Sequence, residues 1–218
     1  MAKIDEAVTK LINEACEEAA ASLGKSLRNI GRINAGSNYP IAERNTVVHL
    51  AHALMAKRLS VVAEAKILNG PRNSRLAHID LLAYGPLRGI PGKKVAIPIE
   101  VKAMGVHDTD RLIRDIERIW EYKPAASELV GKPAGTERHF WERSICFGLF
   151  VLQAHREEKY LEDWAARKGE AEEFFDRIQE VTGRRVASRS ALAVRKNRWD
   201  GCKAVNLLWV AFRMPRLK

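Results

Sequence analysis

Cysteine and long apolar segments are both scarce in this chain of 218 residues. Its three cysteines, Cys16, Cys146 and Cys202, are an odd number at wide spacing, which predicts neither a disulfide framework nor a zinc motif. No apolar run reaches the length of a membrane span, and the first 23 residues carry five acids without the apolar core of a signal peptide. We therefore expect a protein of the reducing cytoplasm that has no membrane partner.

Acidic residues are also few relative to basic ones. The chain has 37 Lys and Arg against 27 Asp and Glu, a formal net charge of +10. The excess is concentrated near the C-terminus, where one stretch contains no acid and six cations: Arg184, Arg185, Arg189, Arg195, Lys196 and Arg198. A clustered basic segment favours nucleic acid as a partner, with a solvated basic surface as the alternative.

Apolar periodicity predicts a mixed α/β single domain over residues 1–218, in the order α-α-β-β-β-α-β-α-β-β. The predicted helices are Met1–Leu23, ended by Gly24, then Pro40–Arg58, Asp108 or Asp110 to Tyr122, and Glu157–Thr182, broken near Gly169. The predicted strands are Ser60–Leu68, Leu76–Tyr84, Val95–Met104, Ser144–Gln153, Val186–Lys196 and Ala204–Phe212. In the second helix, the residues predicted to face inward are Val47, Leu50, Ala51, Leu54 and Met55.

Charged residues interrupt two of these apolar strands. Asp80 lies in the second strand, and Glu100 and Lys102 lie in the third, on one face because they are two residues apart. If the two strands pair, Asp80 comes to lie beside Glu100. Unpaired buried charge is costly, so two carboxylates and a lysine at this position predict a divalent-metal site. Glu43 lies on the inward stripe of the second helix.

This arrangement resembles the PD-(D/E)xK nuclease superfamily, whose members share the restriction-endonuclease-like fold. The positions that carry the resemblance are Glu43, Asp80, Glu100 and Lys102, within about residues 40–153. The implied fold is a mixed β-sheet flanked by helices, with an αβββαβ core. The N-terminal helix (residues 1–24) and a basic C-terminal extension of strands and helix (residues 157–218) are then additions. Two departures are Ile79, where the family usually has proline, and Pro98 within the third strand.

The resemblance also implies roles for the matched residues. Asp80 and Glu100 would hold Mg²⁺ or Mn²⁺, with the Val101 carbonyl as a third ligand. Lys102 would lie beside the attacking water and the phosphate, and Glu43 would bind a second metal or position water. The alternative for Glu100 and Lys102 is a surface ion pair at a sheet edge, because Glu-x-Lys alone is a weak motif.

Further charged residues are candidates for the periphery of this site. Glu64 and Lys66 form a second Glu-x-Lys without a partner Asp, and His78 shares a strand face with Asp80. We expect four cations near the predicted turns to lie close to the site and to contact phosphates: Arg72, Arg75, Lys93 and Lys94. The cations of the C-terminal stretch are also expected to contact the nucleic-acid backbone. Ordinary surface charge is the alternative for each. His49 and His52 lie three residues apart on a helix and are expected at its surface.

The sequence therefore predicts a metal-dependent endonuclease that hydrolyses DNA, in restriction, defence, repair or mobile-element biology. Cutting both strands with one site per chain favours a homodimer or a partner subunit, with the N-terminal helix as a candidate interface. Three alternatives stay open. The chain could be a non-catalytic nucleic-acid-binding or assembly subunit that retains the fold, a nuclease acting on RNA or DNA junctions, or an unrelated α/β protein without metal.

Overall fold

The computed structural model describes residues 2–30, 43–68, 76–103, 109–120, 144–156, 158–183, 187–194 and 204–214. Five helices lie in these ranges: α1 (Ala2–Ile30), α2 (Glu43–Ala56), α3 (Thr109–Trp120), α4 (Glu158–Ala166) and α5 (Glu170–Thr182). Six strands accompany them: β1 (Ser60–Leu68), β2 (Leu76–Pro86), β3 (Lys94–Ala103), β4 (Ser144–Arg156), β5 (Ala187–Val194) and β6 (Ala204–Arg213). None of the described helices combines the length and apolar character that a membrane crossing requires.

The six strands form one mixed sheet in the order β1-β2-β3-β4-β6-β5. The first three strands are an antiparallel meander, and β4 then pairs with β3 in parallel. The last two strands pair antiparallel, β6 against β4 and β5 against β6. The predicted mixed α/β class with helices flanking a mixed sheet is thereby confirmed, and the C-terminal strands continue the central sheet.

Helices cover the sheet on both faces. On the first, here called the α1 face, residues of α1 and α2 such as Ile12 and Leu54 pack against Leu149 and Val151 of β4. On the second, the α3 face, residues of α3, α4 and α5 pack against the intervening residues of β4. β4 is therefore buried on both sides, as its continuous apolar sequence predicts. A charged side chain on a central strand must lie under one of these helical layers.

Two sequence predictions about the helices are wrong. Gly24 does not end α1, which continues to Ile30. Gly24 is itself buried, and the cost of an interior glycine, about 1 kcal/mol, is smaller than the gain from burying neighbours such as Leu23. Met55 does not face inward and is 52% exposed, because α2 instead buries a stripe that includes Thr46 and Ala53. α2 begins at Glu43, and the predicted start at Pro40 lies outside the described residues.

The remaining boundaries agree well with the sequence. The break near Gly169 is confirmed, since α4 ends at Ala166 and α5 begins at Glu170, with Gly169 at φ 58° between them. Strand β1 has the predicted bounds, and the bounds of the other strands differ by at most three residues wherever the predicted bound falls on a described residue. The predicted bounds Met104, Val186 and Lys196 lie outside the described residues. The predicted helix bounds Asp108, Tyr122 and Glu157 also lie outside the described residues.

Packing on the α3 face predicts a requirement for glycine in β4. Gly148 lies opposite Phe212 of β6, and a Cβ atom added there would collide with the Phe212 ring and lie 2.8 Å from Ile119 Cγ2. We expect Gly148→Ala to lower the free energy of unfolding by about 1–3 kcal/mol, measured by urea denaturation. Adding Phe212→Leu should cost less in the Gly148→Ala background than in the wild type. Additive costs would contradict this account.

Candidate metal centre

β3 places Glu100 and Lys102 together on the α3 face. The neighbouring residues Ile99 and Val101 belong to the apolar cluster of the α1 face, so the alternation of the strand turns Glu100 the other way. Glu100 is only 1% exposed and lies between β2 and β4 in the middle of the sheet. A carboxylate in this position has lost nearly all contact with water and needs partners from the protein.

Asp80 lies next to Glu100, as the sequence predicts. The ladder between β2 and β3 runs as far as the pair Leu81–Ile99, and one further step would set Asp80 opposite Glu100. Instead of a backbone pair, Asp80 Oδ2 accepts a hydrogen bond of 2.7 Å from the Val101 N–H. The side chain of Asp80 therefore links β2 to β3 where the backbone ladder ends, and its charge is close enough to act on Glu100.

The strand pair β1–β2 is irregular at this same point. Ile79 packs on the α3 face while Leu81, two residues later, packs on the α1 face. On β1 the residue across from Asp80 is Glu64, which has φ 51° and falls between the paired residues Ala63 and Ala65. A left-handed backbone at a residue other than glycine costs on the order of 1 kcal/mol, and such strain is frequent near functional sites. Glu64 is exposed beside Asp80, and its role at the periphery stays a prediction.

Four charged groups form a closed ring of alternating sign on the α3 face. Arg118 Nη2 lies 2.7 Å from Glu100 Oε1 and 2.9 Å from Asp115 Oδ1. Lys102 Nζ completes the ring, 3.4 Å from Glu100 Oε2 and 3.7 Å from Asp115 Oδ2. The two cations thus bridge the two carboxylates twice, which compensates part of the cost of burying them.

Hydrogen bonding within the ring is incomplete. Asp115 Oδ2 and Arg118 Nε are buried without a hydrogen-bond partner. Glu100 Oε1 is close to Arg118 Nη2, yet the N–H group is not aligned with it, so this contact is an ion pair and not a directed hydrogen bond. Carboxylate oxygens that are buried and not fully hydrogen-bonded are suited to an additional cation.

Burial and neighbouring charges shift the pKa of Glu100 upward. Loss of solvent raises it most, the charge of Asp80 raises it further, and together these outweigh Arg118 and Lys102, so that the pKa reaches about 8. Burial by itself would lower the pKa of Lys102, but the surrounding carboxylates, led by Glu100, raise it above its ordinary value. Lys102 is therefore a stable cation at neutral pH, whereas Glu100 is held near its point of ionisation.

Glu43 approaches the ring from the other side of the site. It stands in the first turn of α2, and its Oε1 is 3.9 Å from Lys102 Nζ. The structure thus brings Glu43, Asp80, Glu100 and Lys102 together, as predicted from the sequence. Their roles as catalytic residues and ligands stay predictions, as does the role of the Val101 carbonyl.

The donor set fits a hard divalent cation. Four carboxylates (Glu43, Asp80, Glu100 and Asp115) lie around two cations, so that with all four ionised the negative charge exceeds the positive charge by that of one divalent ion. Within the described part of the chain, no group of three or more His, Cys, Asp or Glu side chains is placed to hold a metal. Mg²⁺ needs only one or two carboxylates because it keeps several of its waters. Asp80 and Glu100 meet that requirement.

Of the basic residues predicted near the site, the two that the structure describes lie far from it. Lys93 and Lys94 lie at the opposite end of β3, where Lys94 pairs with Pro86, about 20 Å from Glu100 at about 3.3 Å per residue. The expected proximity is therefore wrong for these two, because the turn leads into the far end of the strand. Arg189 is in the edge strand β5, and His78 is exposed on β2. The others lie outside the described residues: Arg72, Arg75, Arg184, Arg185, Arg195, Lys196 and Arg198.

Sequence reasoning missed Asp115 and Arg118. A signal for Asp115 was available, since it follows Leu112 by three residues and precedes Ile119 by four, which places it on the buried stripe of α3. Arg118 is three residues further and reaches the same place. An acid on a buried helical stripe therefore indicates a candidate site, as a charge in a buried strand does.

Comparisons with known proteins give no match from which a family could be assigned. No protein-family model matches it. No curated protein and no solved structure matches it significantly.

The raised pKa of Glu100 predicts a specific dependence of stability on pH in metal-free buffer. An acid whose pKa rises on folding, here from 4.5 to about 8, binds a proton more tightly in the folded chain. The free energy of unfolding should therefore fall as pH rises through that window. We expect Glu100→Gln to gain stability relative to wild type as the pH of urea titrations increases from 5 to 9. Glu162→Gln, which alters an exposed carboxylate of α4, is the control and should show no such trend. A difference between wild type and Glu100→Gln that stays constant with pH would count against the burial argument.

Proposed function

We propose that this chain is a metal-dependent nuclease of the PD-(D/E)xK superfamily, with the restriction-endonuclease-like fold, which hydrolyses phosphodiester bonds of DNA in the cytoplasm. The observation that carries the proposal is the proximity of Asp80 and Glu100 on adjacent strands, with Lys102 on the same strand face as Glu100. Packing alone does not account for these buried charges, because apolar residues of similar size would stabilise the sheet as well or better.

The order of the elements also supports the family assignment. The resemblance implies a helix, a meander of three strands, a second helix and a fourth strand. The structure has α2, the antiparallel strands β1 to β3, α3 and the parallel strand β4 in that sequence. The carboxylates lie on the two strands and the helix where the resemblance expects them.

Each residue of the site has a chemical task in this proposal. Asp80 and Glu100 would hold Mg²⁺ or Mn²⁺, which when bound neutralises charge on the phosphate and lowers the pKa of a bound water. The Val101 N–H holds Asp80 in place. Lys102 is a cation at neutral pH and is 13% exposed, so in this proposal it would donate hydrogen bonds to the attacking water and the phosphate and would not act as a base. Glu43, in the first turn of α2, is placed to accept a hydrogen bond from water.

The net charge of +10 favours DNA as the polyanion. A second copy of the chain, or a partner subunit, would supply the second active site needed to cut both strands.

A second candidate is a nucleic-acid-binding subunit without catalysis. It is favoured by the closed ring itself, because Arg118 and Lys102 already neutralise much of the charge on Glu100 without a metal. The two functions differ in one respect that is easily measured, namely turnover.

The test is cleavage of supercoiled, linear and single-stranded DNA, with RNA alongside, in Mg²⁺, Mn²⁺ and EDTA. We expect wild-type protein to cut DNA in either metal and not in EDTA. Asp80→Asn and Lys102→Met should each lower the rate by about a thousandfold, because each removes a charge aimed at the reacting phosphate.

The control is Glu172→Gln, a change of an exposed carboxylate on α5, which should cut at the wild-type rate. Folding of each variant is checked by circular dichroism. Folded wild-type protein that binds DNA and cuts nothing supports the binding subunit instead. Cleavage that survives both site substitutions contradicts the site described above.

A further inference from the structure

We infer that Arg118 is an exchangeable counter-cation, which neutralises Glu100 in the metal-free protein and leaves it for the substrate phosphate when a divalent cation is bound. This inference rests on the proposed function and adds a residue that the resemblance does not supply. It assigns to α3 a part in both metal binding and substrate binding.

Arg118 and a bound metal ion would compete for the carboxylate of Glu100. Arg118 Nη2 lies 2.7 Å from Glu100 Oε1, and that oxygen is buried with no aligned hydrogen bond. A cation that coordinates Glu100 must share its carboxylate with the guanidinium or displace it. Two positive centres at one oxygen repel each other strongly where water is largely excluded. Release of Arg118 from Glu100 removes that repulsion.

Asp115 keeps the released side chain at the site. Its Oδ1 lies 2.9 Å from Arg118 Nη2, and the two residues are three apart on α3, so the contact does not depend on the position of Glu100. Asp115 is therefore a positioning residue. It is buried, and its Oδ2 also faces Lys102 at 3.7 Å, so that it holds both cations of the ring.

Arg118 is more accessible to solvent than the rest of the ring. Its side chain is 34% exposed, against 13% for Lys102 and 1% for Glu100. A guanidinium offers several N–H donors in a planar fork that suits phosphate oxygens. Once free of Glu100, Arg118 is a cation anchored at its inner side by Asp115 and open toward the solvent. A phosphate bound next to the metal would offer its oxygens as acceptors to the N–H groups of Arg118.

The experiment measures metal binding separately from cleavage. The affinity of the full chain for Mn²⁺ alone is determined by titration calorimetry at one pH for wild type, Arg118→Met and Arg118→Gln. Both variants remove the charge, and Arg118→Gln keeps a hydrogen-bonding side chain in case Arg118→Met does not fold. We expect both to bind Mn²⁺ about tenfold more tightly, because the competing cation is gone. Arg118→Lys restores the charge and should bring the affinity back toward that of wild type.

The second readout is DNA affinity in Ca²⁺, chosen to support binding without turnover. The two neutral variants should bind DNA about tenfold more weakly, and the slope of log affinity against log salt should fall by about one, as for the loss of one phosphate contact. Arg88→Met is the matched control. Arg88 is an exposed arginine in the turn after β2, at the far end of the sheet from Glu100, and its replacement should change neither quantity.

Opposite results separate the inference from the function on which it rests. If wild type binds Mn²⁺ and cuts DNA while the neutral variants bind Mn²⁺ no more tightly, Arg118 is only a structural partner of Glu100 and the inference fails alone. If affinity for DNA is unchanged, the transfer to phosphate is overturned. If wild type binds no Mn²⁺ and cuts nothing, the proposed function fails and the inference fails with it.

Discussion

The buried charge of Glu100 is the constraint on which the arrangement of the site depends. Moving an isolated carboxylate from water into an apolar interior costs far more free energy than the net stability of a whole domain. Glu100 is tolerated because Arg118 and Lys102 lie against its two oxygens and because it can take up a proton near neutral pH. Removing either cation leaves buried charge uncompensated, whereas a bound divalent ion would compensate it more completely.

The compensating groups come together because one face of β3 packs against one face of α3. β3 supplies Glu100 and Lys102 two residues apart, as a strand face requires, and α3 supplies Asp115 and Arg118 three residues apart, as a helix face requires. The parallel pairing of β3 with β4 needs a crossover, and α3 lies between these strands in the chain. The helix that covers the sheet is thus also the element that neutralises its buried charge.

Sequence reasoning identified the strand half of this arrangement and missed the helix half. The pairing of β2 with β3 could be predicted because alternation and a short connection fix which residues are neighbours, and it placed Asp80 beside Glu100. The rotation of α3 over the sheet depends on packing between distant segments, so Asp115 was assigned no role although it lies on an apolar stripe. The error at Lys94 has another cause, since residues near Glu100 in sequence can lie far away along an extended strand. Gly24 shows that burial overrides local propensity.

The most direct test of the account is anomalous diffraction from crystals of the full chain soaked in Mn²⁺. The account predicts one strong peak between the carboxylates of Asp80 and Glu100, about 2 Å from an oxygen of each. It also predicts that Arg118 Nη2 has moved away from its position 2.7 Å from Glu100 Oε1. A fully soaked crystal with no peak at these two carboxylates, and with the ring of four charges unchanged, would contradict the metal centre itself.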